Sequence, residues 1–177
     1  MVAGSGRYIN PIQSLMQKRE IRISYDAYAD SNELEAGDAI LLQAAREAIS
    51  SSYAPYSHFR VGAAGRMANG EILTGANQEN ASFPAGLCAE GVLLAAASSL
   101  FPGMAIETIA ISYNGEGLQN GHPLAPCGVC RQSLSEYQDR FAKPIRLILS
   151  GMKGEVFILS SAKDILPLEF SGSELPK

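Results

Sequence analysis

The 177 residues carry a net charge of −4, with 46% hydrophobic and 18% charged side chains. This is the composition of one ordinary globular domain with a real core, and the acidic balance with scattered Tyr and Phe does not suit a nucleic-acid surface. No stretch approaches the roughly 18 apolar residues of a membrane helix, and the N-terminal MVAGSGRYINPIQSL lacks a signal-type apolar core, so the expectation is a soluble cytoplasmic protein without membrane or nucleic-acid partners.

In chain order, residues 1–20 mix Gly, Pro, Gln and charges and read as an extended or loosely docked arm. IRISY at 21–25 alternates as a short strand would. DAILLQAAREAISSSY has apolar residues at 40, 41, 44, 45, 48 and 49, one helical face, with Asp38 placed to cap it. FRVGAAGRM, the turn Ala68-Asn69-Gly70 and EILTGA predict a β-hairpin. EGVLLAAASSL predicts a helix buried all round, ended by Pro102-Gly103. IETIAISY at 106–113 reads as a strand and NGEGLQNGHPLAP as a long loop. CGVCRQSLSEYQDRF reads as a helix closed by Lys143-Pro144. IRLILS and EVFILS, 145–150 and 155–160, are two more strands about a glycine turn. The order predicts an α/β fold: a single three-layer α/β/α domain with a mixed central sheet.

Two stretches carry chemistry. In Pro126-Cys127-Gly-Val-Cys130, a helix starting at Cys127 sets both cysteines on one face within reach of one ion. Cys88 opens the other helix. Thiols at helix N-termini are biased toward thiolate, the form that binds zinc. Three thiolates leave the last position of a tetrahedral Zn2+ to be filled, and an open position holding water is a catalytic arrangement. Glu90 is then placed to move protons. Positions i and i+2 of a regular helix point about 200° apart, so Cys88 and Glu90 share a site only where the first turn is irregular. The other readings are a redox CxxC, which leaves the third cysteine unused, a structural zinc closed by His122, and three metal-free buried cysteines.

CAE followed by PCGxCRQ resembles the small three-cysteine, homotetrameric type of zinc-dependent cytidine deaminase, whose signature places a Glu after the first ligand and then PCxxC. The likeness covers roughly 40–172 and divides the chain into an N-terminal extension, 1–38, and a catalytic domain, 39–177. It implies zinc on Cys88, Cys127 and Cys130, Glu90 as the catalytic proton carrier, and a nucleoside substrate. YAPYSHFRVGAA resembles the segment that lines the pocket, here with Phe59. GANQENASFP resembles the ribose segment, which implies Asn77 and Glu79 on the sugar hydroxyls, Ala81 along the pocket and Phe83 where the family often has Tyr. The Ala89 backbone N–H is implied at the pyrimidine edge. Phe170, in ILPLEFSGSEL, is implied to stack on the base, often across subunits of a homotetramer. The implied activity is hydrolytic deamination of cytidine and deoxycytidine to uridine and deoxyuridine in pyrimidine salvage. One departure stands out: Gly91 follows Glu90 where most three-cysteine relatives have an Arg on the thiolates. Arg131 is a possible substitute, and the missing Arg also resembles blasticidin-type deaminases. A non-catalytic zinc protein is the third alternative.

Overall fold

The computed structural model describes residues 16–176; the first fifteen residues of the expected arm lie outside them. Among the described residues, six strands form one sheet in the order β1-β6-β5-β4-β2-β3. They are β1 (Asp26–Tyr28), β2 (Phe59–Met67), β3 (Ile72–Ala76), β4 (Ile106–Gly115), β5 (Arg146–Ser150) and β6 (Val156–Leu159). β4 and β5 run parallel and the remaining pairs are antiparallel. Three α-helices cover the sheet: α1 (Ala36–Ala48), α2 (Ala89–Leu100) and α3 (Gly128–Phe141). The mixed three-layer expectation holds.

Alternation along the central strands builds two cores. Ala63, Ile109, Ile111, Leu147 and Leu149 face α2 and α3, where Leu93, Ala97 and Leu134 are fully buried. Ala64, Ala110 and Ile148 face Leu41, Leu42 and Ala45 of α1. Continuous apolar runs such as RLILS are therefore strands buried on both faces.

Two glycines set how near the helices come. A Cβ on Gly62 would lie 2.1 Å from the Ala45 carbonyl oxygen, so α1 rests directly on β2. On the opposite face, a Cβ on Gly75 would lie 2.5 Å from the Ala89 carbonyl oxygen and 2.7 Å from the Leu93 nitrogen. Glycine within a strand marks such close backbone approach.

Several local expectations are corrected. Residues 21–25 are not a strand; β1 lies at 26–28, because the short β6 offers pairing only to Asp26, Ala27 and Tyr28, and Tyr25 instead packs its ring 4.6 Å from Phe157. Asp38 is not a cap: α1 starts two residues earlier, and Asp38 accepts from both Nη atoms of Arg146 at 2.7 and 2.6 Å. That pair joins α1 to β5. Helix α2 is not buried all round, since Ala95, Ser99 and Leu100 are exposed on the face turned from the sheet.

Candidate functional site

Cys88 and Cys127 hold equivalent places. Each is an N-cap with extended backbone, φ −73°, ψ 155° at Cys88 and φ −66°, ψ 169° at Cys127. This resolves the angular conflict between Cys88 and Glu90: Cys88 stands outside the helix, while Glu90 is the second residue of α2. The first two helical turns thus bring Cys88, Cys127 and Cys130 together, their sulfurs all within 4.8 Å of one another.

The Cys88 and Cys127 sulfurs are 3.8 Å apart. Four ligands at about 2.3 Å around a tetrahedral zinc lie about 3.8 Å from each other, so the donor set and its spacing fit zinc. Among the described residues no fourth Cys, His, Asp or Glu joins the cluster. The His122 Nδ1 is instead 3.1 Å from the Tyr113 hydroxyl, which removes the structural zinc closed by His122.

The thiols share their protons unequally. Hydrogen bonding from Cys130 and then Cys127 holds the Cys88 thiol down at about 6, against burial and the charge of Glu90. The Cys130 thiol is pushed up, first by its bond to Cys88 and then by burial. Glu90 is 4% exposed, and burial raises its carboxyl above the ordinary value, opposed by its own backbone N–H and by Cys130. A buried carboxyl whose proton is held more tightly than usual is the kind of group that serves as a proton carrier.

A cavity of 460 Å³ opens beside the thiols, lined by Cys88, Cys127, Ala89 and Glu90 at one part and by Phe59, Val61, Asn77, Glu79, Phe83 and Leu124 elsewhere. Phe59 is braced from behind by Tyr113, the rings stacked 5.3 Å apart. Asn77 is tied into the wall: its Oδ1 accepts from the Val61 N–H at 2.8 Å and its Nδ2 donates to the Phe59 carbonyl at 2.9 Å. One Nδ2 hydrogen is left over. Glu79 accepts from the backbone N–H groups of Tyr56 and Ser57 and from the Ser57 hydroxyl. These bonds, that of the hydroxyl first, hold its carboxyl below the ordinary value.

The structure gathers Cys88, Ala89, Glu90, Cys127, Cys130, Phe59, Asn77, Glu79 and Phe83 at this place. Two expected residues fall elsewhere. Ala81 is exposed and outside the cavity lining, carried outward by the turn in which Ser82 N–H donates to Asn80 Oδ1 at 2.9 Å. Phe170 is 59% exposed and lies over α3, its carbonyl accepting from Gln132 Nε2 at 2.7 Å. Within one chain it is outside the cavity. Arg131 does not replace the missing arginine: Nε donates to the Pro126 carbonyl at 2.8 Å and Nη1 to the Ile165 carbonyl at 3.0 Å. It locks the turn before Cys127. At Gly91 a Cβ would meet nothing within 4 Å, so the position opens onto free space.

Sequence reasoning missed Ser57, Tyr113 and Leu124. Ser57 sits inside the quoted YAPYSHFRVGAA, but only its contact with a residue 22 positions away gives it weight.

The comparisons agree with this geometry. Residues 36–142 match the cytidine and deoxycytidylate deaminase zinc-binding region. A cytidine deaminase of Mycobacterium tuberculosis is 32% identical over 139 residues, covering 75% of this chain and 89% of the relative. One from Halalkalibacterium halodurans is 32% identical over 136 residues, covering 77% and 96%. The crystal structure of cytidine deaminase from Burkholderia pseudomallei superposes with a TM-score of 0.64 at 37% identity, covering 74% of this chain and 97% of that one. With the thiol cluster, the buried glutamate and the matched region coinciding, the chain belongs to the zinc-binding cytidine and deoxycytidylate deaminase family.

Proposed function

We propose that the chain hydrolyses cytidine and deoxycytidine to uridine and deoxyuridine, releasing ammonia, in pyrimidine salvage. The observation that carries this reading is a buried carboxyl, Glu90, opening into the same cavity as a three-thiol cluster of zinc spacing.

Cys88, Cys127 and Cys130 would hold zinc, which would supply a Lewis acid that makes water acidic enough to be a nucleophile near neutrality. Glu90 takes the proton of that water and delivers it to N3 of the pyrimidine, which makes C4 electrophilic. Oxygen bonds to C4. Glu90 then carries a proton to the exocyclic nitrogen, the C4–N bond breaks, and ammonia leaves. The Ala89 N–H is one of the unpaired donors of a helix start and faces the pyrimidine edge. Phe59, Val61 and Leu87 give the ring apolar walls.

At the sugar end, Glu79 has about four acceptor positions, of which the turn fills three. One remains for a donor. Asn77 has one N–H remaining. A single hydroxyl that donates to Glu79 and accepts from Asn77 satisfies both, which favours a ribose-type substrate over a blasticidin-like compound. Phe83 closes the mouth without the hydroxyl of a Tyr.

The reading includes a homotetramer in the cytoplasm. Leu100 on α2 and Phe170, 65% and 59% exposed, are apolar surfaces another copy would cover, and with Phe170 outside its own cavity the stacking role would fall to a neighbouring copy. No helix among the described residues is long and apolar enough to cross a membrane, and the three cysteines are free thiols.

The deciding experiment is ammonia release from cytidine by the zinc-loaded protein beside its Glu90→Ala variant. The expected outcome is turnover that falls by at least about 10³-fold in the variant at equal zinc content, within the range of proton-transfer catalysis at its upper end. Equal rates in the two proteins, or none in either, would sink the reading.

A further inference from the structure

We propose that Ser57 is a positioning residue for substrate binding: it fixes the Glu79 carboxylate in the cavity and ties it to the wall formed by Phe59. The proposal rests on the deaminase reading above, in which Glu79 receives a sugar hydroxyl.

The geometry begins with the turn between α1 and β2. The His58 N–H donates to the Ala54 carbonyl at 3.2 Å, and His58 closes the turn in the left-handed region, φ 54°. Closing it this way points two successive N–H groups, those of Tyr56 and Ser57, at one carboxylate oxygen of Glu79, at 2.8 and 3.3 Å. The Ser57 hydroxyl donates to the other oxygen. Both oxygens are therefore held, and the plane of the carboxylate is set by the turn.

The same hydroxyl oxygen accepts from the Phe59 N–H at 3.0 Å. Ser57 thus has two engagements, one toward the acidic group and one toward the residue whose ring lines the cavity. A turn serine with only a local role would make the second contact alone, the familiar side-chain bond to the backbone two residues on. The first crosses to the segment after β3 and reaches a side chain that also faces the cavity. The three donors leave Glu79, which lines the cavity, one acceptor position for a ligand donor. Without the Ser57 hydroxyl, one oxygen is free to rotate or to take water, and the carboxylate loses its fixed direction.

Binding is the step this affects. Chemistry at C4 depends on Glu90, on another element. The expected signature of Ser57→Ala is therefore a KM for cytidine raised about tenfold, the worth of one hydrogen bond to a charged group, with kcat within about twofold of wild type. Ser57→Thr keeps the hydroxyl and restores KM. In a Glu79→Gln background, Ser57→Ala changes KM by less than about twofold, because its target is already altered. Three results would overturn the assignment alone: a fall in kcat with unchanged KM, no effect of Ser57→Ala, or an undiminished tenfold effect in the Glu79→Gln background. A wild-type protein that is folded, zinc-loaded and inactive on cytidine would overturn the deaminase reading and this role with it.

Discussion

Gly91 stands where the resemblance implies an Arg, and its surroundings decide what a side chain there would do. It is the third residue of α2, one turn from Cys88, and a Cβ meets open space. Arg131 is committed to two backbone carbonyls. Neither residue therefore offers the thiol cluster the side-chain donor that the resemblance implies. Gly91→Arg is expected to slow zinc loss to a chelator about tenfold, the lower range for an outer-shell partner. Gly also costs about 1 kcal/mol relative to Ala inside a helix, so Gly91→Ala is the control that stiffens α2 without adding charge. Retention equal in the Arg and Ala variants would sink the electrostatic explanation.

At the scale of elements, the site depends on how closely α2 lies on β3. Gly75 permits that contact, and Gly62 permits the matching contact of α1 on the other face. Because α2 carries Glu90 and begins at the Cys88 cap, the two glycines predict different failures. Gly75→Ala pushes the Ala89 carbonyl and Leu93 nitrogen away and misplaces the first turn, so zinc content and activity fall together. Gly62→Ala pushes α1, so stability falls while zinc content is kept, because no cysteine lies on α1 or β2. Overpacking of this kind costs about 1–3 kcal/mol, a drop in melting temperature of about 2–4 °C per kcal/mol in a chain of this size. Zinc content and melting temperature measured on both variants check this, and identical zinc loss in the two would refute it. Five of the six strands, the three helices and the three-cysteine cluster were legible in the sequence because their signals are local: apolar runs, a turn marker, CAE and PCxxC. What was not legible is long-range. Asp38 reads as a cap until Arg146, 108 residues on, takes both its oxygens. Ser57 reads as loop until Glu79 arrives.

At the scale of the molecule, the segment before α1 divides into parts with different weight. Tyr28 and Leu34 pack against the core under α1, β1 covers the edge of β6, and Arg46 Nη1 donates to the Ser31 hydroxyl at 3.2 Å. By contrast Met16, Ile21, Ile23 and Tyr25 are exposed. A chain lacking residues 1–24 keeps every one of those ties and the ring contact of Tyr25 with Phe157, and is the reference for a longer truncation, sedimenting at the mass of four copies if the proposed assembly is correct. A chain lacking residues 1–35 loses two half-buried apolar side chains, worth about 2–3 kcal/mol together, which lowers melting by about 5–10 °C. It also bares the unpaired N–H and C=O groups of β6, a template for edge-to-edge association. Larger, heterogeneous particles are expected from it, while its soluble fraction still binds zinc, because no ligand lies on that edge. Equal melting and equal sedimentation of the two truncated chains would mean that β1 and the turn after it contribute nothing to the fold.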